Sequence, residues 1–390
     1  MDILICTFSF PPQPGGVSHV ADVQARGLAA RGHRVTVATG HDPGRGQCPF
    51  PEGLEVVEFR VSGNAHPRSR YSGEIGRYLD FVGAFRGDVI CCHCWQTWPM
   101  DLAVRAFPST PARKALVSHG VSANSRIGWP RTLPSWLLWR PYVWREMPRI
   151  LRAFDRVVML SGRADRDRFY DRLLADRLGY RDITLIPNGV DLRAHQEALS
   201  DFRERFGIDT SRMVLLVGAY YGLKNHRMAL EAFLEARPED ATLVFIGPER
   251  NAYSAALERR WQAAKEGFPS CRVVCLDRLA REDILSAYRA ADLYLCASRT
   301  EYFPLVVLDA MASATPFIST DVGCVGDLPG GVVVRTQSGM AGAVRELLGD
   351  EGRRRSLGAA GRAACESTYN WPRVIDAYET LFETLLKDGG

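Results

Sequence analysis

The chain opens on an apolar run, Ile3 to Thr7, followed by a Pro/Gly segment, Pro11 to Gly16, and by apolar residues at helical spacing from Val17 to Arg31. Gly32 ends that helix and a second apolar run covers Arg34 to Thr39, so the pattern predicts a strand, a helix and a parallel strand. Strand-like runs at Glu55 to Val61, Val89 to Cys92, Ala115 to Ser118, Arg156 to Leu160 and Ile183 to Ile186 then alternate with helical stretches. A parallel sheet covered on both faces requires that alternation. Pro187-Asn188-Gly189-Val190-Asp191 breaks the rhythm with turn residues and is the expected hinge.

Beyond a helix expected near Glu197 to Phe206, the pattern restarts with a strand at Val214 to Gly218, a helix at His226 to Ala236, a strand at Thr242 to Ile246 and a helix at Ala252 to Lys265. Strands at Arg272 to Leu276, Leu293 to Ala297, Pro316 to Ser319 and Val332 to Val334 complete a second doubly wound sheet. The last helix begins at Trp371 and is expected to cross back onto the first half. The chain thus reads as α/β, with two Rossmann-like parallel-sheet domains: residues 1–190, joined by the helix 371–388, and residues 191–370.

A length of 390 residues agrees, since it exceeds what one core usually organises. The first residues carry no basic run and no stretch of about 18 apolar residues occurs, so neither a signal peptide nor a membrane span is read. The ten cysteines sit mostly inside strand-like runs, which favours a reducing cytoplasm. A net charge of +4 is too small for a nucleic-acid footprint. Lysine occurs only at Lys114, Lys224, Lys265 and Lys387, a skew towards arginine that suggests GC-rich, bacterial coding.

Candidate chemistry falls at strand ends, the edge at which open α/β sheets take ligands. Gly15-Gly16 lets a ligand approach the backbone at a helix N-terminus, or is merely a tight turn. His119 follows an apolar strand and precedes Gly120, as a site residue or a packed one. Lys224 stands between Gly218 and the next helix, where an ammonium would neutralise a diphosphate, or is simply solvated. The stretch Glu301-Tyr302-Phe303-Pro304-Leu305-Val306-Val307-Leu308-Asp309 places one carboxylate on a loop and another on the following helix. Their oxygens suit sugar and ribose hydroxyls, and the amides of Leu305 and Val306 suit phosphate.

Other signals are weaker. Cys91-Cys92-His93-Cys94 invites a metal reading, but adjacent strand residues point to opposite faces and cannot close a tetrahedral site, so no metal is expected. His93, Trp95 and Trp98 either line an acceptor site or pack. The segment from Trp129 to Arg152 mixes four tryptophans with five arginines and could touch an anionic membrane, or pack with its arginines solvated.

Taken together, these motifs resemble glycosyltransferase family 4, retaining enzymes of the GT-B fold, over nearly the whole chain. The Pro-Gly-Gly loop is similar to the family's glycine loop, Gly32-His33-Arg34-Val35-Thr36-Val37 to a strand entry, Ser118-His119-Gly120 to its histidine segment and Ile186 to Asp191 to its domain junction. Glu301 to Asp309 resembles its Glu-x7-Glu element and Thr315 to Asp321 the strand that follows. The resemblance implies metal-independent, retaining hexosyl transfer from a nucleotide-diphosphate sugar, a uridine-diphosphate sugar being expected, bound in the cleft between the domains. The acceptor is expected to be a hydroxyl or amine on a small molecule, a glycan or a lipid-linked group, and the cysteines and the segment from Trp129 to Arg152 lead us to expect a cytoplasmic place of action with room for peripheral contact at the inner membrane face. The alternative is a catalytically silent GT-B scaffold that binds a sugar nucleotide or a partner protein. By the resemblance, Gly15, Gly16, Gly218, Phe303, Pro304, Leu305 and Val306 contact the donor, Glu301 holds its sugar, Asp309 the ribose and Lys224 the diphosphate. His119 lines the reaction centre. The chain departs from the family pattern at Ala219, where an arginine is usual and Arg278 or Arg299 would have to substitute, and at Asp309, Pro304 and Asn225.

Overall fold

Strand β1, Asp2–Cys6, has its residues Ile3 to Cys6 wholly buried because it has parallel neighbours on both sides and helices above and below. A computed structural model describes residues 1–66, 68–126, 132–199 and 201–388. It divides into two compact units, one of Met1–Asn188 with Trp371–Gly390 and one of Gly189–Asn370.

In the first unit β1 is joined by β2 (Arg34–Gly40), β3 (Leu54–Phe59), β6 (Val89–His93), β7 (Arg113–Ser118), β8 (Arg156–Met159) and β9 (Ile183–Leu185). Their order is β3-β2-β1-β6-β7-β8-β9, parallel throughout. A small antiparallel ribbon, β4 (Val61–Ser62) with β5 (Ser72–Gly73), was not legible in the sequence, because two residues per strand are too few to show a period. The second unit holds β10 (Arg212–Val217), β11 (Ala241–Gly247), β12 (Arg272–Asp277), β13 (Leu293–Cys296), β14 (Phe317–Thr320) and β15 (Gly331–Val334), in the parallel order β12-β11-β10-β13-β14-β15. Each chain path runs outward from a central strand and then reverses, between β1 and β6 in one sheet and between β10 and β13 in the other. Loops diverge at such a switch point and leave room for a ligand at the carboxyl ends of the strands.

The single helix expected near Glu197 to Phe206 is instead two short ones, Leu192–Glu197 and Phe202–Arg205. Asp191 causes the early start: its carboxylate accepts from the Ala194 N–H at 3.1 Å, a side-chain cap.

The last helix, Trp371–Lys387, belongs to the first unit. Val374, Ile375, Tyr378, Leu381, Phe382 and Leu385 form one buried stripe at three- and four-residue spacing. It lies against the first helix, Gly16–Ala29, at Gly27, where a Cβ would stand 2.7 Å from Ile375 Cγ1. Glu379 fastens the same contact, accepting from Arg31 at 3.1 Å and pairing with His33 at 2.7 Å. Among the described residues no helix is long and apolar enough to cross a membrane. Since Phe382 is fully buried, Phe382→Ala is expected to destabilise the first unit by about 3–5 kcal/mol, read as a lower urea midpoint at unchanged slope.

Candidate functional site

In the second unit the two segments singled out from the sequence meet at the switch point. Strand β10 leads through Gly218 to Lys224 just before the helix His226–Ala236, and β13 leads to the Ser298–Glu301 loop. His226 Nε2–H closes the first loop on itself by donating to the Gly218 carbonyl at 3.2 Å, and the Arg299 N–H joins the two loops by donating to the Leu223 carbonyl at 2.8 Å. The Lys224 ammonium donates to Glu301 Oε1 at 2.5 Å, and Ser298 Oγ donates to the same oxygen at 2.8 Å. Both side chains are only partly exposed, 23% for the lysine and 14% for the glutamate. Burial opposes the Lys224 charge, but the facing Glu301 carboxylate outweighs it and holds the lysine above its ordinary value. Glu301 Oε2 and two ammonium hydrogens take no partner among the described residues.

Past Glu301, Phe303 is buried and Pro304 precedes the helix Leu305–Ala312. Its first backbone acceptor, the Pro304 carbonyl, serves Val307 and Leu308, so the amides of Leu305 and Val306 have no acceptor among the described residues. Pro304 costs no hydrogen bond at the position before a helix. Gly323, which the sequence reading passed over, closes the loop after β14 onto this stretch. Its φ is +52° and a Cβ there would lie 2.4 Å from the Tyr302 carbonyl oxygen.

Asp309 is placed otherwise than expected. Its carboxylate takes two hydrogen bonds from Arg281, at 2.6 and 3.1 Å, and pairs with His195 Nε2 at 2.9 Å. It is 5% exposed. Burial alone would raise its pKa, but the His195 hydrogen bond and the Arg281 charge outweigh that and hold it below the usual value. These contacts use three of the carboxylate's roughly four lone-pair positions, so Asp309 braces an ionic cluster, a role the resemblance did not imply. Neither partner was foreseen, since nothing local in the sequence ties residue 309 to 281 or 195. Arg278, a candidate to replace the arginine missing at Ala219, turns to Asp277 at 3.3 Å and Glu249 at 3.9 Å.

The first unit brings its own strand-end residues together. Gly15, at φ +147°, caps the helix starting at Gly16, and the amides of Gly16, Val17 and Ser18 take no acceptor among the described residues. His93 ends β6 and His119 follows the neighbouring β7. Their rings stack, with Nδ1 of His93 3.1 Å from Nε2 of His119, while His93 Nε2 meets Gln24 Oε1 at 2.7 Å. Because the amide oxygen can only accept, His93 carries its proton on Nε2. His119 Nε2–H then donates to His93 Nδ1, and His119 keeps its Nδ1 lone pair. Burial lowers both histidines, His119 to about 4, with the His119 charge adding to the shift at His93. Both rings are neutral at pH 7.

Of the expected acceptor-side residues, His93 spends both ring nitrogens inside the fold. Trp95 is buried and donates its indole N–H to Ser118 at 3.1 Å and Asp171 at 3.3 Å. Trp98 is buried edge-on against Tyr78, with centroids 4.9 Å apart. All three positions are thus buried and support the strand ends by packing.

Trp129 and Arg131 of the aromatic and basic segment lie outside the described residues. The rest forms a helix Leu133–Leu138, a π-helical turn Tyr142–Glu146 and a helix Met147–Leu151. Arg140 is buried against the Trp136 ring at 3.8 Å and donates to Asn124 Oδ1 and the Ala123 carbonyl. Trp139 packs on Tyr142. Among its described residues, Trp144 and Leu137 are the large apolar side chains that are well exposed, at 67% and 54%.

Known proteins share this organisation. Residues 14–194 match the Glycosyltransferase Family 4 model and residues 211–350 the Glycosyl transferases group 1 model. A D-inositol 3-phosphate glycosyltransferase of Xylanimonas cellulosilytica is 33% identical over 53% of this chain and 52% of its own length, and an N-acetyl-alpha-D-glucosaminyl L-malate synthase of Bacillus anthracis is 27% identical over 53% and 55%. The chain spans about half the length of these two relatives. A glycogen synthase of Mycobacterium tuberculosis is 25% identical over 98% of this chain and 94% of its own. Among solved structures, a sucrose-phosphate synthase from Thermosynechococcus elongatus superposes with a TM-score of 0.74 at 19% identity, covering 100% of both chains. Anabaena HepE, in complex with UDP and glucose, does so at 0.74 and 16%, covering 98% and 100%. With two parallel Rossmann-like sheets in the GT-B arrangement of strands, and a family model on each, this chain belongs to glycosyltransferase family 4.

Proposed function

We propose that the chain transfers a hexosyl group, with retention of configuration and without a metal ion, from a nucleotide-diphosphate sugar to a hydroxyl or amine acceptor. One observation carries this reading: the Lys224 ammonium, Glu301 and the unbonded amides of Leu305 and Val306 share the carboxyl edge of one sheet. An ammonium and a helix N-terminus together offer the positive charge that a departing diphosphate needs. Glu301 Oε2 is left to accept from a sugar hydroxyl while Oε1 stays on Lys224, so one carboxylate fixes both the sugar and the cation. In such an arrangement the leaving phosphate takes the acceptor proton on the same face of the sugar, and the protein supplies position and charge. HepE, whose fold this chain shares, is described with UDP and glucose, which supports a uridine-diphosphate sugar as donor. The exposed Trp144 and Leu137 support peripheral membrane contact from a cytoplasmic location.

A second reading, a silent scaffold that binds a sugar nucleotide, is favoured by the commitment of Asp309 to Arg281 and His195. Slow donor hydrolysis by the purified protein separates the two, because a silent scaffold releases no free nucleoside diphosphate.

Lys224→Ala and Glu301→Gln are expected to stay folded by circular dichroism and to lose about 10²–10³-fold in turnover; wild-type rates in both would overturn the assignment. Asp309→Ala is expected to act on stability, costing about 1–3 kcal/mol because it leaves the buried His195 Nε2 without its partner while the half-exposed Arg281 regains water, which chemical denaturation would read. The depressed pKa of His119 means the folded chain binds fewer protons than the unfolded one, so its contribution is full above pH 6.5 and is lost as pH falls towards about 4. His119→Phe should therefore flatten the dependence of unfolding free energy on pH between 7 and 4, measured by urea titration at each pH.

A further inference from the structure

An open cavity of about 890 Å³ lies in the first unit. Its walls come from the loop that links β4 to β5, the helix Trp98–Ala106 and the π-helical turn with the helix after it. Its floor is Asp101, which accepts from the phenols of Tyr71 and Tyr142 and is 8% exposed. Burial pushes that carboxyl up to about 6. Four arginines, Arg70, Arg105, Arg145 and Arg149, stand around the opening, with Glu146 as the one acidic group among them. All four are exposed, and among the described residues none is ion-paired with a carboxylate. His66 also lines the cavity. Its Nδ1 accepts from the Arg68 N–H at 3.2 Å, so its proton is on Nε2, and that buried nitrogen has no partner among the described residues.

Four guanidiniums facing two carboxyls leave a surplus of positive charge, and planar guanidiniums match the oxygens of a phosphate in pairs. A purely ionic patch, however, would need neither a concave floor nor an orphan N–H. The phenols, the Asp101 carboxyl and His66 Nε2–H together donate to and accept from hydroxyl groups.

We propose that this cavity binds a small phosphate monoester of a polyol, its phosphate among Arg70, Arg105, Arg145 and Arg149 and its hydroxyls on the Asp101–Tyr71–His66 floor, and that this compound is the glycosyl acceptor. The word acceptor rests on the transferase reading; the binding does not. A hydrogen-bonded route runs from the floor to the loop that follows His119. Tyr142, which donates to Asp101 at 2.8 Å, accepts from the Gln96 N–H at 3.1 Å. Gln96 Oε1 in turn accepts from the amides of Ser122 and Ala123, three and four residues past His119. Cys94 and Gln96 hold left-handed backbone, at φ +68° and +62°, which non-glycine residues rarely adopt unless the surroundings fix them. The segment from His93 to Gln96 is thus a stiff strut between the cavity and the strand end that bears His119.

Calorimetric titration of the full chain, with no sugar nucleotide present, tests the binding. The probes are glucose 6-phosphate, myo-inositol 1-phosphate and glycerol 3-phosphate, with glucose, myo-inositol, glycerol and inorganic phosphate as controls. At least one phosphorylated polyol should bind more tightly than inorganic phosphate and than its uncharged parent. Arg145→Ala and Arg149→Ala, both at exposed positions, should each weaken it about tenfold, the equivalent of one charge-assisted contact, and Lys224→Ala should leave it unchanged. No binding by any phosphorylated probe, equal binding by inorganic phosphate, or undiminished binding in the arginine variants would each overturn the proposal. Binding with no donor turnover would instead remove the transferase reading and leave the site standing.

Discussion

The ion pair between Lys224 and Glu301 is the contact on which the second unit's chemistry depends, because it forms only where two loops of a parallel sheet are forced together. The chain runs from β10 out to β12 before returning to β13. Residues 77 apart in sequence therefore end on one edge. An isolated surface pair would contribute little to stability. Here partial burial makes each charge need the other, and the Ser298 hydroxyl and the Arg299–Leu223 backbone bond limit the geometry further. What results is a cation and a carboxylate held in place before any substrate arrives, next to helix amides that point at the same edge.

Buried ionisable groups are accommodated in two ways. Some are kept charged by a partner, as at Lys224–Glu301 and Arg281–Asp309 in the second unit and Arg45–Glu58 in the first. Others are left neutral by burial. His93 and His119 of the first unit are neutral and share one hydrogen bond, and burial lowers His226 of the second unit to about 4. A neutral imidazole with a defined tautomer can accept a hydrogen bond at Nδ1 without repelling a cation, whereas the retained charges of the second unit are suited to an anion. Each electrostatic style follows from the partners the packing supplies, since a charge persists in a poorly solvated place only when a counter-charge or several donors stand beside it.

At Asp309, Trp95 and Trp98 the structure supplies partners that were not expected, and for one kind of reason. Each was read from its place beside a motif, and each is spent on a partner remote in sequence: Arg281 and His195 for the carboxylate, Asp171 and Tyr78 for the indoles. Gly323 shows the opposite error, a residue with no local signal whose missing side chain lets a loop reach the Tyr302 backbone. The same holds for Arg281, which stands at the start of a helix and reads in sequence as an ordinary surface charge.

The sequence by itself determined the architecture. Apolar runs of strand length alternate with helical spacing, and glycines and prolines mark the breaks, so the number of main strands in both sheets and their places along the chain were legible. So was the placing of His119, Lys224 and Glu301 just past strand ends. These are local properties, fixed by which way successive side chains point along one element. Tertiary structure alone decided the partners: the Gln24–His93–His119 relay, the clamp on Asp309, and a cavity assembled from three separate stretches around Asp101. Partnership depends on distance and desolvation after the chain has folded, and neither quantity is written in the spacing of residues along it.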